Sequence, residues 1–155
     1  MASHPDLASL FLRKAAHDEY VVLRLLSDPE APDEVLGFHA QQFAEKLLKA
    51  VLATRGCSFR KTHDLVTLMD DLIRAGVQWP KDLEEIRRLN PFAVEFRYTD
   101  FPQAEEESLD RVWLKIQIKR LRRWAATMIP ANPGRAQKGK RKTAKRKSHR
   151  GANPS

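Results

Sequence analysis

The sequence predicts an all-α protein, an antiparallel up-and-down bundle of about five helices. Apolar residues recur at helical spacing in five segments, which are separated by short breaks rich in proline or glycine. No segment alternates apolar and polar residues for long enough to indicate a β-strand. With 155 residues the chain is long enough for one domain with a buried core, and its short connections favour antiparallel neighbours.

The first two helices are predicted at about 6–26 and 33–54, on either side of the proline-containing stretch 28–32. Asp18 falls on the apolar stripe of the first helix, so its carboxylate needs a partner if it is buried. Gly56 is expected to end the second helix. The predicted core stripe of that helix is Leu36, Ala40, Phe43, Leu47 and Val51.

The third helix is predicted at about 64–75, with Gly76 as its stop. Its inward residues are Leu65, Leu68, Met69 and Leu72. Pro80 suits the first turn of a fourth helix, whose apolar residues are Leu83, Ile86, Leu89 and, further on, Phe92 and Phe96. The step at Asn90 and Pro91 is expected to bend or interrupt that helix, because the proline ring clashes with the preceding turn.

After a predicted loop at 99–102, the fifth helix is predicted at about 103–128. Its periodic apolar set is Leu109, Val112, Trp113, Ile116, Leu121, Trp124 and Met128. Trp113 and Trp124 share one face, which favours a core or interface role over base stacking. A second apolar strip of Leu114, Ile118 and Ala125 makes the apolar arc wide, and a homodimer contact would explain that excess.

The net charge of +8 is concentrated at the C-terminal end. Residues 130–155 hold nine Lys or Arg and no acid, whereas residues 1–129 hold 19 basic and 20 acidic side chains. Residues 130–155 also have no large apolar side chain, so they cannot bury enough surface to offset the entropy of ordering. We therefore expect a helical domain at 1–129 and a disordered, basic tail at 130–155.

Several classes of protein are disfavoured by what the sequence lacks. A single cysteine, Cys57, fits a reducing compartment, and no secretory signal or membrane-spanning run is apparent, which favours a cytoplasmic protein without membrane association. The five histidines lack the paired spacing of a zinc site, and no glycine-rich phosphate loop is present. The sequence therefore gives no indication of a metal or another cofactor.

A polar series runs along the second predicted helix beside its apolar stripe. Helical spacing places Gln42, Lys46 and Lys49 on one side and Gln41 and Glu45 on the adjoining one. This arrangement fits one wall of a binding site and equally fits a solvated face beside the core.

Four motifs resemble those of the HEPN family, and they occur in the family's order. The run FHAQQFAEKLLKAVL at 38–52 resembles the second-helix signature, and THDL at 62–65 resembles the motif that follows it. The segment LNPFAVEFRY at 89–98 is similar to the fourth-helix segment of the family. Ala15 and Asp18 match a small-residue and aspartate pair in the first helix.

The resemblance covers about residues 7–128 and implies a helical bundle, commonly dimeric, that binds or cleaves nucleotides or RNA. It also implies a bacterial toxin–antitoxin-like or defence system, often with a minimal nucleotidyltransferase of the MNT type as partner. Ribonuclease members carry an arginine that is followed, after four to six residues, by a histidine. Here Arg97 stands where that arginine is expected, but the next histidine is His149, so the ribonuclease motif is missing.

We expect polar side chains from the first four helices to converge into one site. The candidates are Asp18, Gln42, Glu45, Lys46, Lys49, His63, Arg97 and Tyr98. Lys46, Lys49 and Arg97 would attract a phosphate, and His63 would act as a general base or a hydrogen-bond donor. The alternative is a structural network, in which Asp18 pairs with Lys46 and Glu45 with Arg97, or in similar pairs, and His63 caps the third helix together with Thr62 and Asp64.

Three functions remain open at this point. The leading one is a non-catalytic, nucleotide- or RNA-binding HEPN protein that forms a homodimer and pairs with an MNT-type nucleotidyltransferase. The second is an atypical ribonuclease that uses Arg97 with His63. The third is an RNA-binding accessory protein that acts through its tail, whose clustered cations are Lys138, Lys140, Arg141, Lys142, Lys145, Arg146 and Lys147.

Overall fold

The structure, a computed structural model, describes residues 4–58, 60–93 and 108–131. These residues form five helices and no strand: α1 (His4–Leu26), α2 (Asp33–Thr54), α3 (Leu65–Arg74), a 3-10 helix η1 (Lys81–Phe92) and α4 (Arg111–Met128). The predicted all-α helical bundle is confirmed. None of these helices is both long enough and apolar enough to cross a membrane.

Helix α2 forms the centre of the described bundle, because α1, α3, η1 and α4 all pack against it. Its predicted core stripe is buried throughout, from Leu36 at the first turn to Val51 at the last. The predicted inward residues of α3, such as Leu68 and Leu72, are buried as well. The helical period therefore gave the correct inward face for both helices.

The glycines predicted to end α2 and α3 lie just after those helices. Gly56 and Gly76 have φ angles of 66° and 83°, which lie in the left-handed region that a residue with a Cβ rarely adopts. Asp64 is the N-cap of α3, and its carboxylate accepts a hydrogen bond from the backbone N–H of Val66. These local signals set the length of α3 between two tight turns.

The fourth element corrects the prediction of an α-helix, since residues Lys81–Phe92 form a 3-10 helix. Pro80 lies just before it, and Pro91 lies inside its last turn. The tighter winding brings the ring of Phe92 close to Gly37 of α2, where a Cβ would meet that ring at 2.3 Å. Phe96, the other predicted apolar residue of this element, lies outside the described residues.

The fifth predicted helix begins later than expected, at Arg111, after the N-cap residue Asp110. The apolar phase predicted for it is wrong in part, because Val112 and Ile116 are 73% and 43% exposed. The strip that contains Leu114 and Ile118 is instead buried within the chain, so it gives no support to a dimer contact. Since α4 is apolar around most of its circumference, periodicity alone did not fix the buried side.

The two predicted tryptophan positions on α4 differ in burial. Trp124 is buried and meets the ring of Trp79 edge to face, with ring centroids 5.0 Å apart. Trp113 is half-buried, and the guanidinium of Arg88 lies 4.8 Å from the centroid of its ring. Both contacts support a packing role for these indoles.

Arg111 joins the start of α4 to the connection between α1 and α2. Its guanidinium donates to the backbone oxygens of Leu25, Asp28 and Ala31, at 3.4, 2.8 and 2.5 Å. It also forms an ion pair at 3.0 Å with Asp33, which is the first residue of α2. The side chain thus satisfies carbonyl groups at the end of α1, which would otherwise need water.

Candidate functional site

A first polar cluster connects α1 with α2 around the carboxylate of Asp18. Asp18 is 7% exposed, so it occupies the apolar stripe of α1 as a buried acid. His39 Nδ1 lies 2.9 Å from Oδ1 of Asp18, and Lys46 Nζ donates to Oδ2. Both partners come from α2, two turns apart on one side of the helix. The buried carboxylate is therefore neutralised and hydrogen-bonded, as burial of a charge requires.

A second cluster of the same composition surrounds Glu45, which is 3% exposed. Lys49 Nζ donates to Oε1 of Glu45 at 2.7 Å, and His63 Nδ1 lies 3.0 Å from Oε2. Gln41 Nε2 donates to the same carboxylate at 3.3 Å. Each of the two clusters thus combines one buried carboxylate, one lysine and one histidine.

Two glutamine side chains tie the second cluster to its surroundings. Gln41 Nε2 also donates to the backbone oxygen of His63 at 2.8 Å, which fixes the loop before α3 against α2. Gln42 Nε2 donates to Oε1 of Gln41 at 2.8 Å. Because Gln41 is fully buried and Gln42 is not, the pair connects the interior network with the surface.

Most of the cationic and imidazole groups of these clusters are more exposed than the side chains of Asp18 and Glu45, which are 10% and 4% exposed. The side chains of Lys46 and Lys49 are 21% and 11% exposed, and those of His39 and His63 are 28% and 46% exposed. Together with Gln42, these four residues form what we call the α2 polar strip. Each ammonium has three N–H donors, so hydrogen bonds to the buried acids leave further donors for an external acceptor.

The loop before α3 is held by a third network around Asp64. Its carboxylate accepts hydrogen bonds from Thr67 Oγ1 and Asn90 Nδ2, both at 2.7 Å, and Asn90 Oδ1 accepts from the N–H of Leu65 at 2.9 Å. Partial burial opposes ionisation of Asp64, but these side-chain bonds and the N–H groups of Val66 and Thr67 outweigh it and lower its pKa. The network positions His63 beside Glu45 by anchoring the residue that follows it.

Six of the eight predicted site residues lie in the first two clusters, and Arg97 and Tyr98 lie outside the described residues. The predicted pairing of Asp18 with Lys46 is present. For Glu45, the described partners are Lys49 and His63. Of the three residues expected to cap α3, Asp64 is the N-cap and its N–H donates to Thr62 Oγ1, whereas the imidazole of His63 contacts Glu45. His39 belongs to the same polar run of the second helix but was not among the predicted site residues, although its spacing of seven residues from Lys46 places both on one side of α2.

Comparison with known families decides the assignment. The model of the HEPN domain matches residues 8–117, most of the chain and most of the described bundle. The chain belongs to the HEPN family. No match was found among curated proteins or among solved structures.

Within this HEPN domain, the arrangement has two chemical capacities. The α2 polar strip offers ammonium, imidazole and amide donors, which are the groups that bind phosphate oxygens. The contact between Glu45 and His63 is also of the kind that orients an imidazole for proton transfer. The sequence, however, has no arginine followed by histidine at the spacing of the HEPN ribonuclease motif.

Proposed function

We propose that this HEPN protein is a non-catalytic binder of nucleotide or RNA, and that the α2 polar strip receives the phosphate groups. The observation that carries the proposal is the pair of buried carboxylates, Asp18 and Glu45. Each holds a lysine of α2 and a histidine, His39 of α2 for Asp18 and His63 of the loop before α3 for Glu45. Fixed donors of this kind lose little conformational freedom when a ligand arrives, which favours binding.

The absence of cleavage in this proposal is supported by the sequence. Arg97 occupies the position of the family's catalytic arginine without a histidine four to six residues after it. In the described part of the chain, the imidazole of His63 contacts Glu45, and its backbone oxygen accepts from Gln41. These contacts give His63 a defined place in the polar network.

We further propose that the protein forms a homodimer and acts with an MNT-type nucleotidyltransferase in a toxin–antitoxin-like or defence pair. This part rests on membership of the HEPN family, which contains many such pairs. Copurification of an untagged nucleotidyltransferase encoded beside the gene would support it. Sedimentation of the purified protein as a monomer at all concentrations would contradict the dimer.

The binding proposal is tested by a charge change that keeps every printed contact to the Asp18 and Glu45 carboxylates and removes only the hydrogen bond from Gln42 to Gln41. Gln42→Glu adds a negative charge to the strip at a half-buried position, one helical turn before Lys46. A new charge about 5 Å from a phosphate oxygen, in a medium between protein and water, costs about 1 kcal/mol, or roughly fivefold in affinity. The matched control is Gln78→Glu, at an exposed position outside the helices.

The measurement is calorimetric titration with ATP and with inorganic triphosphate in the presence of a chelator. We expect Gln42→Glu to weaken both ligands about fivefold, and Gln78→Glu to leave both unchanged. Equal affinities for wild type and Gln42→Glu would refute a phosphate site on this strip. A change for ATP but not for triphosphate would also contradict it, because the strip would then contact the nucleoside and not the phosphates.

The contact between Glu45 and His63 favours one second candidate, an atypical ribonuclease. A carboxylate 3.0 Å from Nδ1 orients the imidazole, and with the side chain 46% exposed the ring remains accessible to RNA. If this candidate were right, the wild type would cut RNA in chelator, and both His63→Gln and Arg97→Ala would abolish the cut. We expect intact RNA from all three proteins.

A further inference from the structure

The charge of this chain changes abruptly at the start of α4. Residues 1–110 contain 13 Lys or Arg and 20 Asp or Glu, whereas residues 111–155 contain 15 Lys or Arg and no acid. Six of those 15 cations lie on α4, within the folded bundle. The basic character assigned to the tail therefore begins one helix earlier, on a surface whose geometry the structure describes.

Three of the six α4 cations are occupied by contacts within the fold. Arg111 pairs with Asp33, Arg120 lies 3.7 Å from a carboxylate oxygen of Asp82, and Arg122 pairs with Glu19 at 2.7 Å. These pairs attach the edges of α4 to α2, η1 and α1. They account for half of the positive charge on the helix.

The other three cations lie along the outward side of α4. Lys115, Lys119 and Arg123 are exposed, and none has an ion-pair partner among the residues that the structure describes. Their spacing of four residues places them about 6 Å apart along the helix axis. Two exposed aliphatic residues lie on the same side, Val112 one turn before Lys115 and Ile116 between Lys115 and Lys119. We call these five residues the α4 basic face.

We propose that the α4 basic face binds the phosphate backbone of single-stranded RNA. A row of exposed cations that have no ion-pair partner among the described residues matches a polymer that carries one negative charge per nucleotide. The two exposed aliphatic side chains offer apolar surface to sugars and unstacked bases, which single strands present and duplexes hide. The inference does not depend on the α2 polar strip, which lies on another helix and is proposed to bind nucleotide phosphates.

Charge also argues against a second copy of this chain as the occupant of the face. A twofold-symmetric contact brings the same patch of both subunits together, so the three cations would oppose their own copies. Such a juxtaposition of like charges costs several kcal/mol without intervening anions. The cations that follow α4 in the tail would increase this repulsion, but they would add to the attraction for RNA.

The test uses the full chain and fluorescence anisotropy with a labelled oligouridine of about 20 nucleotides, a length that spans a typical single-strand site. The variant Lys115→Gln/Lys119→Gln/Arg123→Gln neutralises the face. The matched control, Arg13→Gln/Lys14→Gln/Lys81→Gln, removes three exposed cations from α1 and η1. Both triple variants are also made in a chain whose nine tail Lys and Arg residues are replaced by Gln. The contributions of the α4 basic face and of the tail to RNA affinity can then be measured separately.

We expect the α4 variant to raise the Kd for RNA about tenfold at about 100 mM salt, and to reduce the salt slope by about 2 for three lost phosphate contacts. The control should raise Kd less than about threefold, through net charge alone. Ala126→Glu, at an exposed position on the same side of α4, should weaken binding without removing any existing contact.

Equal losses from the α4 variant and its control would overturn the proposal, because binding would then depend only on net charge. An unchanged Kd for the α4 variant in both tail backgrounds would also overturn it and leave RNA binding to the tail. Displacement of the RNA by polyglutamate at equal charge concentration would identify an acidic polypeptide as the better occupant and contradict RNA. Binding of ATP should be unaffected by the α4 variant, so failure here is distinguishable from failure of the α2 proposal.

Discussion

Substitution of Lys49, whose ammonium pairs with the buried carboxylate of Glu45, by methionine is expected to destabilise the fold by about 2–3 kcal/mol. The substitution Lys49→Met keeps an unbranched side chain of similar length, so the packing of the stem changes little. What is lost is the hydrogen bond of 2.7 Å between Nζ and Oε1. The remaining carboxylate is 3% exposed and has no access to bulk water without local rearrangement.

The magnitude follows from the distance and the burial of the pair. At 2.7 Å and an effective dielectric constant of about 20, the attraction is about 6 kcal/mol before desolvation. Desolvation of both charges offsets much of this, and breaking a buried pair typically costs about 3–5 kcal/mol. Glu45 retains His63 and Gln41 as partners, which reduces the expected loss to about 2–3 kcal/mol.

A double-mutant cycle isolates this interaction. Glu45→Gln alone is expected to cost about 1–3 kcal/mol, and the double variant Glu45→Gln/Lys49→Met should be at least about 1 kcal/mol less destabilised than the sum. Chemical unfolding followed by far-UV circular dichroism gives each free energy of unfolding. Lys14→Met, at an exposed position of α1, is the control and should stay within about 0.5 kcal/mol of wild type. A Lys49→Met protein as stable as this control, or strictly additive free energies, would refute the pairing.

Three further substitutions test how the bundle is assembled. Arg111→Ala should lower the free energy of unfolding in denaturant by about 2 kcal/mol, because the backbone carbonyls at the end of α1 and after it lose the guanidinium donor. An unchanged denaturation midpoint would contradict that role of Arg111. Gly37→Ala should lower the melting temperature, since its Cβ would meet the Phe92 ring at 2.3 Å, and Phe92→Leu in the same chain should restore part of the loss. Asp64→Asn keeps an N-cap but loses the charge, so it should be less stable than wild type near pH 7. The pKa of Asp64 in the folded state lies below its usual 3.8. The difference in free energy of unfolding between wild type and Asp64→Asn is therefore present above about pH 4 and shrinks as the pH falls through the folded-state pKa. A difference that does not change with pH would contradict this reasoning.

The parts of the fold that the sequence predicted well are those in which one periodicity dominates. The predicted stripe of α2 from Leu36 to Val51 is buried throughout, and glycines with positive φ follow the ends of α2 and α3, so local signals and packing agree. Helix α4 has apolar residues on nearly all sides, and only packing against its neighbours selects Leu114 over Val112 for the core. The 3-10 winding of η1 likewise depends on tertiary contacts, such as that of Phe92 with Gly37.

The candidate site was predictable in composition but not in pairing. Helical spacing placed the polar residues of α2 on two adjoining sides, and the apolar surroundings of Asp18 demanded a partner. The partner of each acid depends on the axial position of α1 and α3 relative to α2, and no local sequence pattern encodes that position. For that reason His39 was missed as a partner of Asp18, and Lys49 as a partner of Glu45.

The most direct test of the central claim is a titration of the isotopically labelled protein with ATP in chelator, followed by nuclear magnetic resonance. We expect concentration-dependent shifts of the Gln42 side-chain amide, of the imidazoles of His39 and His63, and of neighbouring α2 amides, with no conversion of the ATP. Shifts confined to other helices, or no shifts at millimolar ATP, would contradict a phosphate-binding site on the α2 polar strip.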